Sequence, residues 1–479
     1  MNLVNAINGI LWSNLLIYIL LGAGVYFTFR LRFVQFRRIG DMIRLLIDKE
    51  AGDEGISSFQ ALALSIAGRV GVGNIAGVAT AIHFGGPGAV FWMWCLALLG
   101  SATAFIESTL AQIYKEEKDG EYRGGAAYYL EKCTGKKVWG VIFACSLLYT
   151  SMIGVPWLQS NAIAASMQGA FGIPPMITGG VVAALIALII LGGVKRIGRV
   201  AEILVPFMAI AYIIVAIIII VAKITDLPGV IVLIFKSAFG LEQAFAGIFG
   251  AAISWGVKRG IYSNEAGMGT ATQAAAAANV SHPAKQGLVQ AFSVYIDTML
   301  VCTATAFMII VTGSYNVVGS SGDYIINNLP NVEAGPLYTQ MAVDTVLPGF
   351  GGAFVSIALL FFAFTTIIAY YYAGETNTVY IKEKTGINIA PFLKISTIAL
   401  TFIGAVKTAN LAWGIADIGI GLVTWVNIVG ILIAGGVAVK ALKDYDDQRS
   451  QGIDPVFDPR KLGIKNAEVW NKISDRNIQ

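Results

Sequence analysis

Residues Ala61 to Ile82 read ALALSIAGRVGVGNIAGVATAI, a stretch long and apolar enough to cross a bilayer, with Gly71-Val72-Gly73-Asn74-Ile75-Ala76-Gly77 at its centre. Glycine costs about 1 kcal/mol per residue in a helix interior relative to alanine, so the sequence predicts a break here. Non-helical backbone at membrane depth survives only where it is buried in protein or lines a cavity. A break in this place is therefore where something polar would bind.

The rest of the chain supports a membrane setting. Of its 479 residues 13% are charged and 56% hydrophobic, and the mean hydropathy is +0.70, whereas a soluble chain carries roughly 25% charged residues. The four cysteines (Cys95, Cys133, Cys145, Cys302) and two histidines (His83, His282) have neither metal-ligand spacing nor a hydrolase signature. They are read as packing residues, and no cofactor is expected. A net charge of +4 gives no reason to expect nucleic acid.

At about 20 apolar residues per crossing, eleven transmembrane helices are expected, near 7–29, 57–82, 88–113, 139–169, 175–193, 198–222, 242–275, 286–312, 350–380, 390–408 and 411–438. The first lacks a basic leading region and is read as a retained span. Lys and Arg favour the cytoplasmic side. Setting 30–56 inside, with Arg30, Arg32, Arg37, Arg38, Arg44 and Lys49, places 29 of the 33 basic residues inside, Lys258, Arg259 and Lys285 among them. The N-terminus is then outside and the C-terminus cytoplasmic, in a multi-pass protein of the cell (plasma) membrane.

The expected organisation is an extra N-terminal helix and amphipathic segment over 1–56, a repeat over 57–222, an extracellular connection at 223–241, a second repeat over 242–438, and a polar tail at 439–479. Phe33 to Asp48 has helical apolar spacing, consistent with lying on the inner leaflet or with a solvated connection. The loop from about 313 to 349 is a candidate outer lid. The tail is expected to be a helix followed by loose chain.

Five spans in each repeat put the halves in opposite orientation, the arrangement of inverted repeats. Each half opens with a helix interrupted near its middle: the opening stretch, and Ile253-Ser254-Trp255-Gly256-Val257-Lys258-Arg259-Gly260, which precedes the small-residue run Ser263 to Ala278. Glycines in membrane helices ordinarily serve close packing, but two interrupted helices in matching places point to a transporter's substrate site. A broken helix offers free amides to an anion and free carbonyls to a cation, which suits a zwitterion. The amides at Gly71-Val72-Gly73 are candidates for a carboxylate. The carbonyls from Ala67 to Val70 and near Ile253 to Trp255 are candidates for an ammonium or a cation.

A hard cation also takes hydroxyl and amide oxygens. Thr365 and Thr366 in FFAFTTIIAYYY, and Asn74 at the break, are the candidates. For the threonines the alternative is bonding back to their own helix. Acidic groups at membrane depth cost roughly 2.5 to 3.5 kcal/mol. Ion pairs with Arg69, Lys258 or Arg259 are the expected fate of most of Glu107, Glu202, Glu265, Glu375 and Asp417. Asp297 stands apart, as a partner for Asn74 in a second cation or proton site.

The motifs GVGNIAGVATAIHFGGPGAVFWMW and GVKRGIYSNEAGMGTA resemble the two signatures of the alanine or glycine:cation symporter family, within the amino acid-polyamine-organocation superfamily, and the likeness runs over nearly the whole chain. It implies an all-α polytopic membrane protein with a five-plus-five inverted repeat, a leucine-transporter-like fold with two discontinuous helices. Val70-Gly71-Val72-Gly73-Asn74 is similar to the leucine transporter's Val-Gly-Leu-Gly-Asn. That likeness implies sodium ligands from the Ala67, Val70 and Phe362 carbonyls and the Thr365 and Thr366 hydroxyls. It further implies that the Val72 and Gly73 amides hold the substrate carboxylate, with the amine near the Arg69 carbonyl. Ala76 and Gly77 depart from the pattern, so the outer gate cannot use the same ion pair. No tyrosine matches at mid-depth in the fourth span, where Trp157 or Gln159 closes the pocket instead. Phe249, Ile253 and Trp255, with the neighbouring Ser254 and Gly256, are expected to wall the site and leave room for little more than a methyl group.

The expected activity is therefore import of a small neutral amino acid, alanine or glycine, coupled to sodium by alternating access, with a monomer in the lipid bilayer as the working unit. A proton-coupled carrier is the nearest alternative and a channel the next. An enzyme would need a nucleophile, base and orienting group clustered at depth, and no such cluster is legible.

Overall fold

The computed structural model describes residues 1–46, 55–118, 120–192 and 194–476. Lys49 and the end of the amphipathic segment, Ile47 and Asp48, lie outside them. Among the described residues seven helices are long and apolar enough to cross a membrane, or nine if each of two bent pairs is one span. Two shorter apolar helices, Pro175–Ile190 and Ala390–Ala405, fall where spans were expected. The chain is a helical, polytopic membrane protein.

One bent pair is the opening stretch. Its first half, Ser58–Arg69, starts at a capping box in which Ser57 and Gln60 satisfy each other's backbone N–H groups. It ends at Val70, whose backbone is extended (φ −78°, ψ 93°). The chain resumes as a π-helical turn, Gly73–Gly77, and an α-helix, Val78–Gly85, at 50° to the first half. The predicted break is present.

The second break is not where the sequence suggested. Ile253 to Gly260 lie inside one unbroken helix, Phe249–Asn264. Gly256 there serves packing: a Cβ would stand 2.5 Å from the Ala89 carbonyl. The interruption comes after Asn264, where Glu265 (φ 58°), Gly267 (φ 87°) and Gly269 (φ 76°) adopt left-handed backbone that glycine takes at little cost. The helix Thr272–Ala277 follows.

The two interrupted helices run antiparallel. A Cβ at Gly85 of the first would stand against Ala252, one at Gly77 near Arg259 and one at Gly73 against Tyr262 and Ser263. One end of the molecule carries Met1 and the loop after Ile310. In that loop an antiparallel hairpin, Asn316–Val318 with Tyr324–Asn327, precedes the helix Pro336–Val346. The stretch expected as an extracellular connection holds a helix, Leu227–Ala238.

At the opposite end the helix Ala409–Ser450, about 63 Å long at 1.5 Å per residue, projects past any 30 Å apolar core. The amphipathic segment forms two short helices, Val34–Arg37 and Ile39–Leu46. Arg37 and Arg38 pair with Asp446 at 2.7 and 2.6 Å.

The tail is not loose chain. Phe457 N donates to the Ser281 carbonyl at 3.0 Å, and Trp470, 1% exposed, donates from Nε1 to the Gln112 carbonyl at 2.7 Å. Trp470 also packs edge-on against Phe457 at 5.1 Å. Polar composition concealed this, because a few aromatic anchors suffice to seat a short segment. Trp470→Ala is expected to weaken the seating by roughly 3 to 5 kcal/mol. Limited proteolysis of membranes should then cut beyond Ser450 at least about tenfold faster than in the parent; an unchanged rate would show that Trp470 does not anchor the tail.

Candidate functional site

Where the first helix breaks, the carbonyls that would have continued it are left without partners in their own helix. Two of them meet a hydroxyl from across the bundle. Thr366 Oγ1, on the helix Gly351–Thr385, lies 3.0 Å from the Ala67 carbonyl oxygen, 3.4 Å from that of Val70 and 2.9 Å from that of Phe362. One hydroxyl has a single proton to give, so three carbonyls and one hydroxyl oxygen converge with a surplus of acceptors. Such a group of neutral oxygens suits a hard cation. Thr365, about 100° round the helix, turns back to the Phe361 and Phe362 carbonyls at 3.0 Å each. The structure thus brings Ala67, Val70, Phe362 and Thr366 together, with Thr365 touching the set only through Phe362.

Gly71 allows this approach. A Cβ on it would fall 2.5 Å from Thr366 Oγ1 and 3.2 Å from Gln159 Oε1. Gly71→Ala is expected to cut uptake at least about tenfold with the protein still inserted, since overpacking costs about 1 to 3 kcal/mol; parental uptake at equal expression would refute that.

The amides beyond the break are also engaged. Gly71 N donates to Asn74 Oδ1 at 2.8 Å, and Val72 N donates to Gln159 Oε1 at 3.1 Å. Gln159 therefore supplies a neutral acceptor to an amide that the break leaves without a helical partner. Trp157 does not share this place. Two residues away on the helix Val155–Phe171, it faces elsewhere, and its backbone packs on Gly404, where a Cβ would lie 2.6 Å from Trp157 Cα.

Asn74 and Asp297 do come together. Asn74 Nδ2 donates to Asp297 Oδ1 at 2.6 Å, Ser263 Oγ to Asp297 Oδ2 at 2.9 Å, and Thr298 Oγ1 to the same oxygen at 2.7 Å. All four residues are fully buried. Among the described residues no Lys, Arg or His forms an ion pair with Asp297. Ser263 was missed as a site residue because the second break was placed too early. The Gly267-Met268-Gly269 spacing, which repeats Gly71-Val72-Gly73, was the available signal.

Antiparallel pairing moves the expected wall residues away from the first break. Tyr262 and Ser263, rather than residues 253–256, are level with Gly73. Trp255 stacks on Phe84 at 4.4 Å, Ile253 packs at the edge of the core, Ser254 is half-buried, and Phe249 is exposed at the start of its helix. Phe249 lies about 21 Å along that helix from Ser263. The Arg69 side chain also turns away, donating to the Gln290 carbonyl at 3.1 Å and to the Ser293 hydroxyl.

A cavity of about 780 Å³ opens at the end that carries Met1, bordered by Met1, His83, Tyr324, Trp255 and Trp413. At its edge Asp417 pairs with Lys258 at 2.6 Å and Arg259 at 3.1 Å, and the Arg259 guanidinium lies 4.0 Å from the centre of the Trp413 ring. Lys258 and Arg259 therefore share the end that carries Met1, not the end of Arg30 to Arg44 with which charge counting had grouped them. Beyond the break toward the tail the packing is close. Gly269 N and Asn427 Nδ2 donate to Glu107 Oε2 at 3.1 and 2.8 Å, and Tyr370 donates to Glu265. Ile56 N donates to the Ala277 carbonyl at 3.0 Å. A space of about 20 Å³ remains beside Glu265 and Tyr370.

The break and its converging carbonyls are buried, with a cavity toward one end of the molecule and close packing toward the other. The model of the sodium:alanine symporter family matches residues 1–459. The chain belongs to the sodium:alanine symporter family. Similar proteins include the carrier protein YrbD of Bacillus subtilis, 57% identical over 98% of this chain and 97% of the relative. The sodium/proton-dependent alanine carrier protein of Bacillus sp. PS3 is 52% identical over 90% and 97%, and the sodium/alanine symporter AgcS of Methanococcus maripaludis 38% over 94% and 98%. This is a family of transporters.

Proposed function

We propose that the protein is a secondary symporter that imports alanine or glycine with sodium by alternating access. The observation that carries this reading is the meeting of the Ala67, Val70 and Phe362 carbonyls at the Thr366 hydroxyl, with amides of the same break facing Gln159. Sodium enters as a transported substrate. Bound there, it would link the broken helix to the helix Gly351–Thr385. The amino acid carboxylate would take the Val72 and Gly73 amides, with the amine near the Arg69 carbonyl. Each ligand favours the closed state and so raises the other's affinity.

The antiparallel pairing of the two interrupted helices supports a five-plus-five inverted repeat after one extra helix. The two bent pairs, the opening stretch and Leu227–Ala238 with Gln243–Asn264, and two short apolar helices, added to seven long ones, support eleven spans. With the N-terminus outside and the tail in the cytoplasm, the cavity at the end that carries Met1 faces outward, and Arg259 and Asp417 are the outer gate. Tyr262 and Gln159 would bound the amino acid side chain in place of Phe249, Ile253 and Trp255.

A proton-coupled mode is favoured by one feature: Asp297 is buried with three neutral donors and no cation paired to it among the described residues. The sodium/proton-dependent relative is in keeping with that.

Uptake of labelled alanine into proteoliposomes separates the readings. Accumulation at least about tenfold above equilibrium, corresponding to 1.4 kcal/mol, is expected under an imposed sodium gradient. None is expected without a gradient. Accumulation under a proton gradient alone would replace sodium with the proton, and equilibration without accumulation would indicate a channel.

A further inference from the structure

The helices Asn14–Arg30 and Ala409–Ser450 run side by side in the same direction, as successive contacts along them indicate. Trp12 Nε1 donates to the Asp417 carbonyl at 2.9 Å, and Arg38 pairs with Asp446 at 2.6 Å. Between these points the helices touch at Gly435, where a Cβ would come within 2.5 Å of Phe27 Cε1. Beside that contact lies a groove of about 400 Å³, with Ala434, Gly436 and Val437 along its length and Arg30, Lys440 and Lys443 at one end. Gly436, Val437, Lys440 and Lys443 share one helix face by their spacing. Ile433, on the same face, is 66% exposed within an apolar span, so the groove opens to the bilayer.

The charges distinguish this groove from ordinary lipid-facing surface. One turn further toward the tail, basic residues are neutralised: Arg37 and Arg38 by Asp446, Arg449 by Asp41 at 3.3 Å. Arg30, Lys440 and Lys443 have no carboxylate at ion-pairing distance among the described residues, and all three are exposed. Three such cations stand where two helices leave the apolar span, above a groove whose floor is small and apolar. Basic pockets between spans at the headgroup level attract anionic lipids. We propose that this groove is a binding site for an anionic phospholipid, with its phosphate among Arg30, Lys440 and Lys443 and an acyl chain along Ala434 to Val437.

The site is independent of the transport reading and is tested apart from it. The full chain, purified in detergent, is incubated with phosphatidylglycerol or with phosphatidylcholine and examined by native mass spectrometry. One phosphatidylglycerol should be retained, at least tenfold more than phosphatidylcholine. The combined variant Arg30→Gln, Lys440→Gln, Lys443→Gln should lose that excess. Gly436→Phe should lose it too, by filling the groove; a Cβ at Gly436 meets nothing within 4 Å, so the side chain leaves the helix without a backbone clash. Should the charge variant fail to fold, Gly436→Phe decides alone. Equal retention of the two lipids by the parent, or undiminished phosphatidylglycerol on Gly436→Phe, would overturn the site.

Discussion

Thr366→Val is expected to reduce sodium-driven alanine uptake by one to two orders of magnitude. Valine keeps the shape of threonine and removes one oxygen from a set in which three carbonyls already converge. A polar contact to a charged partner is worth about 1.5 to 3 kcal/mol, and each 1.4 kcal/mol is tenfold in affinity. The loss should appear as a raised sodium requirement, with uptake partly recovered at high sodium. Thr365→Val is the internal control. Its hydroxyl returns to its own helix, so a much smaller effect is expected. Equal loss in both variants would mean that Thr365 turns into the site during transport. Parental sodium dependence in Thr366→Val would remove the break from the cation path.

Asp297→Asn should separate stability from function. The carboxylate is buried with Asn74, Ser263 and Thr298 as donors, and a charge at membrane depth costs roughly 2.5 to 3.5 kcal/mol. An amide of the same size removes that cost, and the two hydroxyls can reverse to accept from it. The variant is expected to melt no lower than the parent and yet to lose at least about tenfold in accumulation. The gradient that fails identifies the role. Loss of sodium-driven accumulation together with the Thr366→Val phenotype assigns Asp297 to a second cation. Loss with sodium dependence at Thr366 intact assigns it to the proton. Full activity would make the cluster a structural element joining the two interrupted helices.

Much of this was legible in the sequence, because membrane proteins have to satisfy backbone polar groups locally. Long apolar stretches can only be helices, and glycines at mid-span announce where a helix is spent on something else. The first break was anticipated from residue type, as was the nearness of Asn74 to Asp297; the family resemblance implied a set of Ala67, Val70, Phe362, Thr365 and Thr366, of which Thr365 turns back to its own helix. Ion pairs with Arg69, Lys258 or Arg259 were expected for most of the acidic residues at depth, but among the described residues only Asp417 forms one. Glu375 pairs with Arg123, and Glu107, Glu202 and Glu265 accept from neutral donors, which satisfy a carboxylate without a counter-charge. The second break was misplaced for a physical reason: Gly256 and Gly260 are packing glycines, and sequence alone does not distinguish a glycine that admits a neighbouring helix from one that adopts positive φ.

What the sequence determined by itself is therefore the class of molecule, its membrane setting and the opening stretch as a break. Those follow from hydropathy and from the cost of glycine in a helix, both properties of short segments. Only the tertiary structure decided which residues stand beside that break. Antiparallel pairing set Tyr262 and Ser263 level with Gly73 and carried Ile253 and Trp255 toward the end that carries Met1. It also turned Gln159 toward Val72 and seated Trp470 on Gln112. Contacts between segments depend on how helices are registered against one another, and that register is set by the packing of whole faces, which no single stretch contains.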